Sequence, residues 1–316
     1  MNNSFPSKQD VLDARQRLLP FVHRTPVLTC DQIDQITGNK LFFKCENFQK
    51  AGAFKSRGAL NATLQLSAEQ RLNGVATHSS GNHAQALARA ASILQIPAYI
   101  VMPANAPKVK IAAVEHYGGI ITFCEPTLSA RESTLREVIS QTGATEIHPY
   151  NNCHVITGQA TAAAELIEEV PLLDLVLTPV GGGGLLAGTA LSVHYFLPQA
   201  TVIACEPAGA DDAYRSFREG RIIPSINPQT IADGLLTSLG DKNFAIIQKH
   251  VADIVTVSED AIKLAMRYIF ERMKIVVEPS SAVPLAALIE KKIVLKEKNI
   301  GIILSGGNVD LSQLPF

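Results

Sequence analysis

Short apolar runs alternate along the chain with longer stretches whose apolar residues recur every three to four positions. Residues 41–46, 74–77, 98–102, 120–123, 175–178, 201–205 and 301–304 read as strands. Between them, 83–95 carries an Ala/Leu stripe at positions 84, 87, 88, 91 and 94, and 185–196 and 260–273 are patterned the same way, as amphipathic helices. Strands alternating with helices predict βαβ units and a parallel sheet covered on both faces, an α/β fold. At roughly 150 residues per domain, 316 residues suggest about two domains. No linker divides the chain. The stretch 74–150 has its own strand–helix alternation and is expected to form a small domain inserted into a larger one built from 1–73 and 151–316.

Composition narrows the function. Apolar residues make up 47% and charged residues 18%, which excludes a disordered or fibrous chain. Twenty-nine acids against 28 Lys plus Arg give a net charge of −1, so nucleic acid and anionic membrane are not expected partners. No apolar run approaches the roughly 18 residues that span a bilayer, and the first residues lack a basic-then-apolar leader. Five cysteines (Cys30, Cys45, Cys124, Cys153, Cys205) form no CxxC pair and read as reduced thiols. A cytoplasmic enzyme or binding protein is the expectation.

Three strands end in polar, glycine-rich turns: His78-Ser79-Ser80-Gly81-Asn82-His83, Pro179-Val180-Gly181-Gly182-Gly183-Gly184 and Ser305-Gly306-Gly307-Asn308. Ligands of open parallel sheets bind beyond the carboxyl ends of the strands, so three such turns suggest one shared crevice. Four consecutive glycines let backbone N–H groups converge on an anion at a helix N-terminus, which points to a phosphate cradle. The plainer alternative, a flexible turn, loses backbone entropy at every glycine. Neither a dinucleotide fingerprint nor a Walker loop is present. Lys55 lies among small and apolar neighbours in Ala51-Gly52-Ala53-Phe54-Lys55-Ser56-Arg57-Gly58. Desolvation there favours a neutral, nucleophilic amine. By itself the lysine could be an ordinary surface residue. Together with a phosphate cradle and no nucleotide motif, it suggests pyridoxal phosphate.

The segments AGAFKSRGALNA, HSSGNHAQALA, TPVGGGGLLAG and LSGGNVDL, in this order, resemble the fold-type II pyridoxal phosphate enzymes. Within them the chain is similar to the serine racemase and serine/threonine dehydratase group, from about Asp10 onward. The resemblance implies a tryptophan synthase β-like fold of two open, twisted parallel sheets with flanking helices. It implies that Lys55 bonds the cofactor aldehyde and acts as a base on one face of the substrate α-carbon. Gly181, Gly182, Gly183 and Gly184 would hold the phosphate, Asn82 the phenolic oxygen and Ser305 the pyridine nitrogen, leaving that nitrogen largely neutral. The turn of Ser79, Ser80, Gly81 and His83 would receive the substrate carboxylate on backbone N–H groups, with Arg131 and Thr237 near the substrate.

Two features narrow the resemblance. Ser80 stands where threonine dehydratases carry alanine, and in serine racemases that residue is the base opposite the lysine; the alternative is a helix cap or a carboxylate contact. The run Glu206-Pro207-Ala208-Gly209-Ala210-Asp211-Asp212 is similar to the divalent-cation loop of the racemases. Glu206, Asp212 and the Ala210 carbonyl would offer hard oxygen ligands to Mg²⁺ or Mn²⁺. The alternative is that Asp211 or Asp212 caps the helix that follows. There are also departures. Tyr150-Asn151-Asn152-Cys153-His154 replaces the family's acidic residue and proline after Pro149, and GQATAAAE replaces the commoner GQGT. Lys50, Tyr117, Lys274 and Asn308 match positions that bind ATP at the dimer interface of animal serine racemases, but Ala51 lacks the usual hydroxyl. ATP is thus a candidate effector. No isoleucine-binding regulatory domain is expected after Phe316. The expected substrate is a small hydroxy amino acid, with serine racemisation and serine or threonine dehydration as the reading and 3-hydroxyaspartate dehydration or catabolic threonine dehydration as alternatives. A homodimer is the family expectation.

Overall fold

The computed structural model describes residues 5–79, 81–106 and 108–316, with the backbone alone at Val109. Among these residues there are ten strands: β1 (Val27–Leu28), β2 (Lys40–Cys45), β3 (Val75–His78), β4 (Ala98–Pro103), β5 (Ile120–Cys124), β6 (Thr145–Glu146), β7 (Leu175–Pro179), β8 (Thr201–Pro207), β9 (Asp253–Val257) and β10 (Asn299–Leu304). The helices are α1 (Lys8–Leu18), α2 (Asp31–Thr37), α3 (Lys55–Leu64), α4 (Ala68–Asn73), α5 (Asn82–Leu94), α6 (Lys108–His116), α7 (Leu128–Thr142), α8 (Cys153–Glu169), α9 (Gly184–Phe196), α10 (Asp212–Glu219), α11 (Asp241–His250), α12 (Glu259–Tyr268) and α13 (Pro279–Ile289). Every expected strand is present within a residue or two. The helix expected over 260–273 is α-helical only to Tyr268, and its last turn, Ile269–Met273, widens to a π-helix.

The strands form two sheets. One has the order β1-β2-β10-β7-β8-β9 and is parallel except for β1, which runs antiparallel to β2. The other, β5-β4-β3-β6, is parallel throughout and contains every strand between Val75 and Glu146. β7 is buried along its whole length, as expected of a parallel strand covered on both faces. Leu175 and Leu177 pack on one side with α12 and α13, while Val176 points to the other, against α8, α9 and α11. Truncating such a side chain, Leu177→Ala for example, costs about 2–5 kcal/mol. In the second sheet, Val75, Ile100 and Met102 pack on Ala84, Leu87, Ala88 and Ala91 of the stripe on α5.

α8 is wedged between α3 and α9 through small residues. A methyl at Gly158 would come within 2.6 Å of the Gly58 Cα, and one at Gly188 within 2.6 Å of the Ala160 nitrogen. This close approach fixes α3, whose first residue is Lys55. No described helix is long and apolar enough to cross a membrane. All five cysteines are unpaired.

Candidate active site

In a parallel sheet all strands end on the same edge, so the turns after β10, β7 and β8 gather at one rim. The segment leading into α3 is stitched to this rim. Phe54 donates its N–H to the Ser305 carbonyl at 3.0 Å, and Ala53 bridges Gly306. Lys55 therefore emerges beside the end of β10. Its Nζ donates to the Pro149 carbonyl at 2.8 Å and lies 5.1 Å from the centre of the Phe54 ring and 5.9 Å from that of Tyr150. Part of the side chain still meets solvent, but the amine is crowded by protein. This desolvation draws its pKa from 10.5 down to about 8, an effect that the nearby Glu278 carboxylate partly opposes.

Gly181, Gly182, Gly183 and Gly184 are all buried. Among the described residues, none of their four backbone N–H groups meets a hydrogen-bond acceptor. Buried N–H groups are rarely left unpaired, so the turn is built for an anion. Gly183, with φ at +90°, closes the turn and caps α9. A methyl on Gly182 would overlap the Tyr150 ring, and one on Gly181 would approach the Leu235 Cα to 2.9 Å. Asn243 secures the arrangement, donating to the Gly182 carbonyl at 2.7 Å and to the Tyr150 carbonyl at 3.1 Å.

Ser305 is buried at the end of β10, and its hydroxyl lies 3.0 Å from that of Ser281, either of which can donate. The Asn82 amide stands between Glu278, to which it donates at 2.9 and 3.0 Å, and Asn308, from which it accepts at 2.9 Å. Burial pushes the Glu278 carboxyl up to about 7. The Ser79 N–H donates to the Val101 carbonyl at 3.1 Å, and Gly81 leads into α5, whose first-turn N–H groups face outward from the helix. Ser80 lies outside the described residues. The His83 imidazole is turned inward: its Nε2 lies 2.9 Å from the Ile147 carbonyl, and burial lowers its pKa to about 3. The imidazole is thus buried against the Ile147 carbonyl. Burial, and after it the charge of Arg131 in the first turn of α7, lowers the pKa of His78, and the Thr237 hydroxyl partly offsets the rise that burial imposes on the Tyr150 phenol.

In the run 206–212 the helix that follows is capped by Glu206 and not by an aspartate. Asp211 makes no side-chain cap and instead pairs with Arg215. Glu206 accepts the first-turn N–H groups of Ala213 and Tyr214 at 3.0 and 2.8 Å. The Asp212 carboxylate is buried, and neither of its oxygens finds a hydrogen-bond partner among the described residues; burial raises its pKa to about 6, a rise that the nearby Ser225 tempers. Burial and the facing Asp212 push Glu206 well above the usual carboxylate range. Ala210 sits in the short turn between them. Among the described residues, no group of three or more His, Cys, Asp or Glu side chains is arranged to hold a metal.

Four residues at the rim escaped sequence reasoning: His148, Tyr150, Asn243 and Glu278. The departure after Pro149 was the one signal that pointed to Tyr150. A phosphate cradle, a buried amine of lowered pKa and a buried serine at the neighbouring strand end are the donors and nucleophile that pyridoxal phosphate needs, so the residues fit that cofactor.

Comparison with known proteins agrees. The family described as pyridoxal-phosphate dependent enzyme matches residues 18–306. The chain is 49% identical over 311 residues to a β-hydroxyaspartate dehydratase of Paracoccus denitrificans, covering 98% of this chain and 99% of that one. The crystal structure of serine racemase from Dictyostelium discoideum superposes with a TM-score of 0.93 at 48% identity, covering 96% of this chain and 99% of that one. The crystal structure of a T.th. threonine deaminase gives 0.93 at 43% identity, with 98% and 100% covered. On this match, and on the cradle, amine and serine gathered at one rim, the chain belongs to the pyridoxal-phosphate dependent enzymes.

Proposed function

We propose that this protein racemises serine and dehydrates serine and threonine, releasing pyruvate or 2-oxobutanoate and ammonia. The observation that carries the reading is the juxtaposition of Lys55, an amine with a pKa near 8, and the four unpaired N–H groups of the glycine turn. The identity to serine racemase and threonine deaminase supports it.

Bound pyridoxal phosphate supplies an aldehyde that bonds the substrate amine and a conjugated ring that takes up the electrons of the broken Cα–H bond. Residues of this chain do the rest. Gly181–Gly184 and the N-terminus of α9 would hold the phosphate, Ser305 the pyridine nitrogen and Asn82 the phenolic oxygen. The start of α5, with Ser79, Gly81 and the His83 backbone, would orient the substrate carboxylate, with Arg131 and Thr237 near the substrate. Lys55 Nζ takes the α-proton from one face. Ser80 returns a proton to the other, which inverts the centre. Departure of the β-hydroxyl as water leads instead to the keto acid. Glu206, the Ala210 carbonyl and Asp212 would hold Mg²⁺ or Mn²⁺, a reading supported by the two Asp212 oxygens that find no partner among the described residues. The segment 74–150 acts as a small domain against 1–73 and 151–316. A cytoplasmic homodimer with ATP as effector completes the reading; the free thiols support the compartment.

A second reading, 3-hydroxyaspartate dehydration, has a specific support beyond the Paracoccus relative. Arg131 forms no ion pair among the described residues, and its charge is felt at His78 and Tyr150. It offers the cation that a second carboxylate needs. A panel of L- and D-serine, L-threonine and the 3-hydroxyaspartates, followed by keto acid and enantiomer ratio, decides between the two. Turnover of serine with inversion is expected. A protein that turned over only the hydroxyaspartates would replace the first reading by the second, and one inert toward the whole panel would overturn both.

A further inference from the structure

The turn facing Lys55 closes on a histidine side chain. Nδ1 of His148 accepts the backbone N–H of Tyr150 at 3.3 Å and that of Asn151 at 3.0 Å. This is the bonding pattern by which an asparagine closes an Asx turn, carried out here by an imidazole. Two donors on Nδ1 require a lone pair there, so the ring proton resides on Nε2. The Tyr150 N–H and the Pro149 carbonyl belong to one planar peptide unit and point in opposite directions. Anchoring the N–H on His148 therefore aims the carbonyl, and the carbonyl is the acceptor for Lys55 Nζ at 2.8 Å.

We propose that His148 is a positioning residue for Lys55, fixing through its Nδ1 the peptide plane whose carbonyl holds the lysine amine whenever that amine is free. The proposal rests on the reading of Lys55 as the amine that bonds the cofactor and moves the α-proton. The surrounding segment is secured independently. Asn151 donates to Asp241 at 2.7 Å and accepts from the Lys242 N–H at 3.1 Å, Asn243 holds the Tyr150 carbonyl, and Asn152 caps α8. Losing the His148 acceptor thus frees one peptide plane and leaves the turn in place. The charged group acting on the amine is Glu278 at the start of α13, which favours the ammonium form; His83 on α5 and His148 itself are lowered by burial and, further, by the charges of Lys55 and His78, and stay neutral.

The test compares two substitutions in the full-length protein. Asparagine places its Oδ1 where Nδ1 sits, whereas glutamine reaches toward the Nε2 position and lacks the δ acceptor. His148→Asn should keep kcat within about twofold, and His148→Gln should lower kcat about tenfold with KM little changed, the effect of one lost hydrogen bond. The decisive readout is independent of turnover: the pH dependence of the rate at which cofactor-stripped protein takes up pyridoxal phosphate, followed by absorbance. Uptake requires the neutral amine. Removing an acceptor disfavours the ammonium form, so the midpoint should move to lower pH in His148→Gln and stay in place in His148→Asn. A simple loss of packing would slow uptake without moving its midpoint. His148→Gln with an unmoved midpoint, or His148→Asn with a shifted one, overturns the proposal. If His148→Gln does not fold, the folded His148→Asn decides alone by the same criterion. Borohydride reduction that failed to fix the cofactor to Lys55 in the unsubstituted protein would overturn the reading of Lys55, and the proposal with it, before either variant is compared.

Discussion

The guanidinium of Arg57 and the carboxylate of Glu165 meet through two parallel hydrogen bonds, 2.7 Å from Nη1 and 2.8 Å from Nη2, with the arginine wholly buried. On its other side Arg57 grips Glu46 through Nε at 2.7 Å and Nη2 at 2.9 Å, and Lys44 closes on Glu165 at 2.7 Å. Two cations face two carboxylates, so the cluster is neutral in sum. It ties α3, two residues after Lys55, to α8 and to the end of β2. Removing one member strands the others in the interior. Glu165→Ala should lower the unfolding free energy by about 3–5 kcal/mol, read from denaturant midpoints. A loss below about 1 kcal/mol would mean that water reaches the cluster and screens it.

The pH dependence of turnover follows from the burial of Lys55. Only the neutral amine can take a proton, and its pKa is lowered to about 8. The rate should rise as pH increases through about 8 and then level off, where an exposed lysine would still be rising near 10.5. Glu278 favours the ammonium form, so Glu278→Gln should carry the rise to lower pH. A rise that moved upward in that variant would contradict the assigned sign.

The glycine turn admits no side chain beside Tyr150. Gly182→Ala forces the ring out of place and should weaken pyridoxal phosphate binding at least about tenfold, since the cradle depends on converging N–H groups. Absorbance titration of the stripped protein gives the comparison. Unchanged affinity would show that the phosphate binds elsewhere.

The buried pair Glu206 and Asp212 predicts a cation dependence. Chelation should lower the melting temperature, and Mg²⁺ or Mn²⁺ should restore it, because a ligand that binds only the native state stabilises that state. Asp212→Ala should remove the response to chelator. If the response persisted unchanged, the cation would have to sit at another site.

Racemisation requires protons on both faces of the α-carbon, and a lysine tethered to one face serves only that face. Ser80→Ala should reduce serine racemisation by orders of magnitude and abolish D-serine dehydration, while L-serine dehydration persists. Racemisation near the unsubstituted rate would remove Ser80 from the mechanism.

The parallel α/β character and the glycine turns were legible because each rests on local pattern: apolar runs such as 175–178 for buried strands, the Ala/Leu stripe for α5, consecutive glycines for the cradle. Lys55 was legible through its small neighbours. What stayed hidden was relational. β1 and β6 are two residues each, too short to show any periodicity. Glu278 matters because it reaches Asn82 across 196 positions, and Arg57 because its carboxylates come from residues 46 and 165. His148 gave no sign of acting as a turn acceptor, since that role depends on which ring nitrogen faces the two N–H groups. Tyr150 was visible only as a departure from an expected pattern, without the chemistry that it brings.

The central position of β10 has a consequence for how the molecule is assembled. The strand lies between β2 and β7, with Ile300 opposite both Leu41 and Leu175. Until it is synthesised, a growing chain carries two unsatisfied strand edges with no partner between them. Contacts of such long sequence separation close slowly, because loop-closure entropy is lost before they form. Exposed edges are where chains join to one another. Ser305 also follows β10 directly, so its corner of the rim is completed only with this strand. A ligand that needs the whole rim then finds it only after the sheet has closed.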